Sequence, residues 1–363
     1  MSASFVDIVG ERTIVICCGT GGVGKTTTAA VIALEAARRG RRAVVVTIDP
    51  AKRLADALGL RGALSNEPTK VEAPWPGELW AMMLDTKTTF DDLVHRYSAD
   101  HRQAERILSN RFYRNISTSL SGTQEYMAAE KLYALHEDPR FDLVVVDTPP
   151  TRHALDFLDA PARLTRFLDH RLYRALMVPT RAYLKAVNMA AQAFLRTVSK
   201  VVGGEVIADA IAFFQAFDGM EKGFRARAAS VLALLTAPAT AYVLVASPRT
   251  DTVDEAAFFA DHLATRGIAV AGLIINRMHP TFGPGDAAQA REQAEQAERS
   301  GRPELASLWE NLAELRDVAA REAVQIAGLT ARMGDAAVAT IELRSTDVHD
   351  LDALTEVAAA LLR

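Results

Sequence analysis

Eight consecutive residues near the amino terminus, GTGGVGKT at 19–26, constrain the fold of this chain more than any other feature. They fit the pattern G-x-x-x-x-G-K-[ST], in which backbone N–H groups and a helix amino terminus surround a phosphate group. An apolar run at 13–18 precedes them and predicts a buried strand, and residues 27–39 have the composition of a helix. This strand–loop–helix order predicts a phosphate-binding loop inside an α/β fold.

Every residue type in this loop suits a phosphate ligand. Glycines at three positions allow backbone angles that other residues avoid, so that successive N–H groups can point inward. Lys25 supplies a cation to the β- and γ-phosphates, Thr26 offers a hydroxyl ligand to Mg²⁺, and Thr27 can reach the α-phosphate. A simple glycine turn is the alternative, but it would not require Lys followed by Thr. The predicted nucleotide contacts are Gly21, Gly22, Val23, Gly24, Lys25, Thr26 and Thr27.

The composition is that of a soluble globular protein. The chain has 363 residues, of which 49% are apolar and 24% charged, and this length suits one elaborated α/β domain. The net charge of −4 argues against a general nucleic-acid binder, which normally carries a basic surface excess. No basic leader with a following apolar stretch opens the chain, and no uncharged run reaches the roughly 20 residues that span a bilayer. We therefore expect a soluble, cytoplasmic protein that does not bind nucleic acid.

Short apolar runs alternate with helical segments along the chain, which is typical of a mostly parallel, doubly wound α/β sheet. Together with the loop, this indicates a P-loop NTPase fold, whose ligands bind where the strands end. We predict a single domain over residues 1–363, with helical insertions at 88–136 and 162–235 and long solvated helices within 286–325. The predicted strands lie at 13–18, 43–48, 79–84, 142–147, 241–246, 269–275 and 337–342.

Two aspartates end predicted strands at the edge where the ligand is expected. Asp147 closes an apolar run, and an acidic residue there in a protein with a phosphate-binding loop holds Mg²⁺, directly or through water. Its alternative role is to cap the following helix, and the presence of the loop favours the metal. Asp49 can orient or deprotonate an attacking water, or cap a helix that begins at Pro50. The local sequence leaves these two roles of Asp49 open.

Several ordered segments spread over most of the chain occur together. They are GTGGVGKTTTAA at 19–30, DPAKRLADALG at 49–59, GTQEYMAAEKL at 122–132, DTPPTRHALDFL at 147–158, SPRTDTVDEA at 247–256 and IINRM at 274–278. In this combination the chain resembles the ATPases of the arsenite-pump and tail-anchored-protein-targeting group, which belong to the deviant-Walker-A class of dimeric P-loop ATPases.

The resemblance implies a Mg²⁺-dependent ATPase and gives roles to particular positions. Asp49 matches the aspartate that positions the hydrolytic water, Asp147 begins the second switch segment, and His153 matches a histidine of that segment. Asn276 matches the asparagine that reads the adenine ring, which suits ATP rather than GTP. Lys25 and Asp49 are thus the expected catalytic residues. Because the family is dimeric, the resemblance also implies a homodimer or a heterodimer with a paralogous ATPase.

The chain departs from the family at residues expected near the phosphates. The family's signature lysine reaches across the dimer to stabilise the transition state, and Thr20 stands in its place. Lys52 and Arg53 stand where the family usually has His-Asn, and Arg152 stands where it usually has Gly. We hypothesise that one of these basic residues replaces the lysine, or that a paralogous partner chain supplies it.

Three outputs of ATP hydrolysis are open. A chaperone-like carrier would bind a hydrophobic membrane-protein client through the apolar helix faces of the second insertion, although such faces equally pack on each other. The energising subunit of an anion or metalloid pump would need a membrane partner and would lie at the membrane periphery, but the metalloid-binding cysteines of some arsenite pumps are missing. A regulator would bind ATP with little hydrolysis, as Thr20 allows. The apolar positions of the insertion are Leu184, Val187, Ala191, Phe194, Val198, Val201, Ile207, Ile211, Phe214 and Phe217.

Overall fold

The computed structural model describes residues 4–48, 53–60, 62–119, 123–170 and 204–362. Two separate units make up the chain. The first, called the sheet unit, comprises Met1–Met83, Asp138–Arg152 and Pro238–Arg363. The second, called the helical unit, comprises Leu84–Glu137 and His153–Ala237. The interpretation as one domain with insertions at 88–136 and 162–235 stays a prediction.

The strands of the sheet unit are β1 (Ile14–Cys18), β2 (Arg42–Thr47), β3 (Thr69–Val71), β4 (Glu78–Met83), β5 (Leu143–Asp147), β6 (Thr240–Ala246), β7 (Val270–Met278) and β8 (Ala337–Glu342). The described residues place them in one sheet in the order β3-β4-β2-β5-β1-β6-β7-β8. All neighbouring pairs are parallel except β3 and β4. The predicted α/β fold with a mostly parallel sheet is therefore confirmed.

Two details of the sheet differ from the prediction. Strand β3 was not predicted, because it is only three residues long and its first two, Thr69 and Lys70, are polar and exposed. Strand β7 continues to Met278, whereas the apolar run that predicted it stops at Ile275. Pairing with β8 extends β7 through an irregularity between Asn276 and Met278, so Asn276 lies in the strand rather than in the loop after it.

The parallel register brings the ends of three central strands to one edge. Asp147, the last residue of β5, pairs with Cys17 of β1 on one side and with Thr47 of β2 on the other. The phosphate-binding loop follows β1, and the segment that contains Asp49 follows β2. This arrangement gathers the predicted site residues from distant parts of the sequence.

The described helices are α1 (Phe5–Glu11), α2 (Lys25–Arg38), α3 (Arg53–Ala57), α4 (Thr86–Tyr97), α5 (His101–Leu108), α6 (Arg111–Ser119), α7 (Thr123–His136), α8 (Thr151–Asp169), α9 (Gly204–Ala216), α10 (Glu221–Leu235), α11 (Thr250–Ala264), α12 (Ala287–Arg299), α13 (Pro303–Arg332) and α14 (Leu351–Leu361). Among these described segments, none is long and apolar enough to cross a membrane.

Helix α2 lies at the centre of the sheet unit. Five of its eleven buried residues are alanines, which allow a helix to approach a sheet closely, and it packs with β1, β2 and β5 in one apolar cluster. Helix α14 joins the same cluster through Leu354, Val357 and Leu361. The helix that begins at the phosphate-binding loop is therefore held firmly, which fixes the loop's position relative to the strand ends.

The helical unit has an aromatic core of its own. Phe213 lies between Tyr113 and Phe217, with ring centroids 6.0 and 5.0 Å away, and Phe224 follows 5.2 Å from Phe217. Phe214 is partly buried against this cluster. Of the apolar insertion positions predicted from sequence, those from 184 to 201 lie outside the described residues, as does the side chain at 207.

Candidate functional site

The phosphate-binding loop leaves β1 through a position that only glycine fits. A Cβ atom at Gly19 would overlap the backbone carbonyl oxygen of Val245 in the neighbouring strand β6. Gly22 and Gly24 have φ angles of 79° and 98°, in the left-handed region that favours glycine. Close packing at Gly19 and backbone conformation at Gly22 and Gly24 therefore explain three of the four glycines in the loop.

Helix α2 begins at the loop with its first turn directed at the predicted phosphate position. Its N-cap is Gly24, which has no side chain to satisfy the N–H groups of that turn, and the first helical hydrogen bond runs from Thr28 N to Gly24 O over 2.9 Å. Unsatisfied N–H groups and the helix dipole make such an end favourable for an anion.

Lys25 lies inside the loop. Its side chain is buried, and Nζ donates a hydrogen bond of 2.7 Å to the carbonyl oxygen of Thr20. A buried ammonium is costly unless it is hydrogen-bonded. The loop thus holds the Lys25 ammonium group against its own backbone, where the motif predicts the β- and γ-phosphates.

Thr20 contributes its backbone to this arrangement. The carbonyl oxygen accepts from Lys25, and the side-chain Oγ1 is buried with no hydrogen-bond partner among the described residues. A threonine hydroxyl carries no charge and cannot act as the cation that the family places at this position.

Asp147 is the carboxylate of the site. It is 1% exposed, and its Oδ2 accepts hydrogen bonds from Thr26 Oγ1 at 2.7 Å and from Thr47 Oγ1 at 2.9 Å. The next residue, Thr148, donates from Oγ1 to the carbonyl oxygen of Cys17 over 2.7 Å, which ties the start of the segment after β5 to β1. A carboxylate and a hydroxyl are hard oxygen ligands of the kind Mg²⁺ prefers. The Thr26–Asp147 pair therefore fits the predicted metal.

The two cysteines at the end of β1 take no part in this chemistry. Both are fully buried. Burial raises the pKa of the Cys18 thiol to about 12, and burial together with the nearby Asp147 charge raises that of Cys17. The thiols remain protonated at neutral pH, so they act as small core residues.

Asn276 lies against the loop from the other side. Its Nδ2 donates to the carbonyl oxygen of Val23 over 2.8 Å, and its Oδ1 accepts from the backbone N–H of Arg277, which has a φ of 64°. A cleft runs from Gly24 and Thr27 past Asn276 to the segment at 341–348, which includes the end of β8 and the loop after it. The cleft therefore adjoins both the phosphate-binding loop and Asn276.

Some predicted site residues cannot be placed. Asp49 and Lys52 lie outside the described residues, and so do the side chains of Arg152 and His153. Arg53 begins α3 and is exposed. The catalytic, metal and adenine roles assigned from sequence therefore stay predictions.

Two features of the site were not predicted. Thr47 donates a hydrogen bond to Asp147, and the loop after β8 lines the cleft through Leu343, Arg344, Thr346, Asp347 and Val348. A hydroxyl at the end of a strand, two residues before Asp49, is the only signal for the first. The sequence gives no sign that the loop after β8 lines the cleft, because this depends on which loop the fold places beside the phosphate-binding loop.

Comparisons with known proteins agree on one family. A family model described as "Anion-transporting ATPase" matches residues 12–312. The "ATPase GET3" of Malassezia globosa is 30% identical over 154 residues, which cover 42% of this chain and 44% of that protein. A "Putative arsenical pump-driving ATPase" of Halobacterium salinarum is 33% identical over 159 residues, or 42% of this chain and 24% of that protein. An uncharacterized protein of Streptomyces coelicolor is 33% identical over 276 residues, or 76% and 64%. The chain spans about half the length of the first of these curated relatives.

Proposed function

This chain belongs to the anion-transporting ATPase family, and on that premise we propose that it binds ATP with Mg²⁺ and hydrolyses it where β1, β2 and β5 end. The observation that carries the proposal is the convergence of Lys25, Thr26 and Asp147 at this edge. The loop holds the buried Lys25 cation, and the Thr26 hydroxyl holds the buried Asp147 carboxylate. A nucleotide phosphate chain needs such a cation, and its metal needs such a carboxylate.

Each residue of the proposed ATPase site has its own role. Lys25 and the N–H groups at the start of α2 bind the phosphates and stabilise the charge that develops on them. Thr26 and Asp147 hold Mg²⁺, which when bound neutralises phosphate charge and orients the phosphate chain. Asp49 positions the attacking water. Asn276 and the adjoining cleft receive the base, and the chain has no N-K-x-D guanine signature, so ATP is the proposed nucleotide.

Thr20 limits what one chain can do alone. Because a neutral hydroxyl replaces the signature lysine, we expect slow hydrolysis unless a basic residue of this chain or a paralogous partner supplies the cation. The active assembly is therefore proposed to be a dimer, either of two copies or with such a partner. A chain that binds ATP tightly and hydrolyses it very slowly would be the regulator considered above.

The proposed output is the handling of a hydrophobic membrane-protein client. Phe167 of α8 is 49% exposed and lies 6.3 Å from the partly buried Phe214 of α9, so the helical unit presents aromatic surface. Isolation of the Asp49→Asn variant in the presence of ATP should recover a protein with a hydrophobic segment. Recovery of a membrane-embedded anion transporter would favour the pump, and ATPase stimulation by its anion would establish it.

The test of the ATPase proposal is phosphate release by the purified full chain. We expect Mg²⁺-dependent release from ATP and much less from GTP, with release abolished in Asp147→Asn because the metal loses a charged ligand. Lys222→Ala, on an exposed lysine of the helical unit, is the control and should retain the wild-type rate. Equal rates in wild type and Asp147→Asn would refute the proposed site.

A further inference from the structure

Thr47 is a buried hydroxyl at the end of an otherwise apolar strand. The four residues before it, from Ala43 to Val46, are buried and apolar, and Thr47 itself is 2% exposed. Its Oγ1 donates to Asp147 Oδ2 over 2.9 Å. A valine would have nearly the same shape, so packing alone does not require this residue.

The same carboxylate oxygen accepts from two hydroxyls on different elements. Thr26 approaches from the first turn of α2, and Thr47 approaches from β2. A hydroxyl has one proton to donate and two lone pairs. Thr26 can therefore keep its proton on Asp147 while its lone pairs serve a cation, and Thr47 holds the same carboxylate oxygen from β2.

The main chain also contributes to this connection. The backbone N–H of Ile48 donates to the carbonyl oxygen of Asp147 over 3.2 Å, so β2 is bound to this residue through main chain and side chain. Asp147 is therefore fixed relative to the end of β2 by two hydrogen bonds.

We propose that Thr47 is a positioning residue of the ATPase site, which orients the Asp147 carboxylate for Mg²⁺. The inference rests on the proposed function. It differs from that function in assigning a specific task to a residue outside the loop and the switch motifs. Loss of the hydroxyl should weaken the use of the metal and leave metal-free nucleotide binding unchanged.

The experiment is ATP binding to the full chain at increasing Mg²⁺, and again in EDTA, for wild type, Thr47→Val and Thr47→Ser. We expect Thr47→Val to raise the Mg²⁺ midpoint about tenfold, the loss expected for a hydrogen bond to a charged group. Affinity in EDTA should not change, and Thr47→Ser should restore the midpoint. If Thr47→Val fails to bind ATP in EDTA, Thr47→Cys, with its weak S–H donor, replaces it in the same measurement.

Thr240→Val is the matched control, because Thr240 is a buried strand threonine. It lies at the start of β6, whereas the proposed site lies where the strands end. The inference is overturned by an unchanged midpoint in Thr47→Val, by a Thr47→Ser midpoint as high as that of Thr47→Val, or by an equal rise in Thr240→Val. Wild type that does not bind Mg²⁺ and ATP together overturns the proposed function, and the inference with it. Wild-type binding with an unchanged Thr47→Val midpoint overturns the inference alone.

Discussion

The sheet unit and the helical unit each bury a carboxylate, but they satisfy it differently. In the sheet unit, Asp147 accepts from the neutral hydroxyls of Thr26 and Thr47. In the helical unit, Glu130 of α7 forms hydrogen bonds of 2.6 and 2.9 Å with the Arg227 guanidinium of α10. Hydroxyls orient a carboxylate without cancelling its charge, whereas a guanidinium neutralises it.

Under the proposed function, this difference separates a carboxylate that binds a metal ion from a carboxylate that stabilises the fold. The Glu130 and Arg227 side chains are 3% and 11% exposed, and Arg227 also lies 3.8 Å over the ring of Tyr133. Arg227 and Glu130 therefore compensate each other's charge within the helical unit. In the sheet unit, the buried Lys25 donates to a backbone carbonyl, an interaction that a phosphate can replace.

Breaking the ion pair of the helical unit should have the largest effect on stability. Arg227→Met leaves the Glu130 charge buried and is expected to cost about 3–5 kcal/mol in the free energy of unfolding. Urea denaturation measures this loss, and the affinity for ATP should not change. Arg163→Met, which breaks an exposed pair with Asp156, is the control and should cost less than about 1 kcal/mol. A large loss of ATP affinity in Arg227→Met would contradict the division between the units.

Removal of the Lys25 cation should weaken ATP binding strongly and change stability little. Lys25→Ala is expected to weaken ATP binding by roughly a hundredfold, because charge-assisted hydrogen bonds to the phosphates are lost. Its free energy of unfolding should change by less than about 1 kcal/mol, since loss of the hydrogen bond to Thr20 is offset by removal of the desolvation cost of a buried ammonium. Calorimetric titration with ATP measures the first quantity and urea denaturation the second. Unchanged affinity would show that Lys25 does not meet the nucleotide.

Two glycines of the sheet unit should respond to alanine with opposite signs. At Gly19 the new Cβ overlaps the Val245 carbonyl, so Gly19→Ala is expected to destabilise by about 1–3 kcal/mol. At Gly10 of α1 nothing lies within 4 Å, so Gly10→Ala is expected to stabilise by roughly 0.5–1 kcal/mol. Urea denaturation of both variants measures these changes in the free energy of unfolding. Stabilisation by Gly19→Ala would mean that the loop does not leave β1 as described.

The smallest effect concerns the thiols beside the site. With the pKa of Cys18 raised to about 12, roughly one thiol in ten thousand is ionised at pH 8. The folded protein should therefore not react with Ellman's reagent, and two thiols should react after unfolding in urea, in accord with the two cysteines of the chain. Rapid labelling of the folded protein would place a reactive thiol near the loop and contradict the inert role.

Local patterns predicted the parts of the site that lie close together in the sequence. The glycines, Lys25 and Thr26 form one motif, and Asp147 ends an apolar run that is typical of a buried strand. The fold class followed from the alternation of such runs with helices. These features depend on periodicity and on spacing within about ten residues, which a single sequence records directly.

The contacts that complete the site join residues far apart in the chain. Thr47 and Asp147 are 100 positions apart, Asn276 and Val23 are 253 apart, and Glu130 and Arg227 are 97 apart. Each depends on which strands or helices become neighbours and in which register. The pattern of one sequence does not contain that information, so it could not distinguish the buried carboxylate kept for a ligand from the one used in an ion pair.

The most direct test of the nucleotide site in the sheet unit is calorimetric titration of the full chain with ATP in the presence of Mg²⁺, repeated with GTP and with Lys25→Ala. We expect one ATP per chain, weaker binding of GTP, and roughly a hundredfold weaker binding of ATP by Lys25→Ala. Absence of ATP binding to the wild-type chain, or equal binding to Lys25→Ala, would contradict the site described at the ends of β1, β2 and β5.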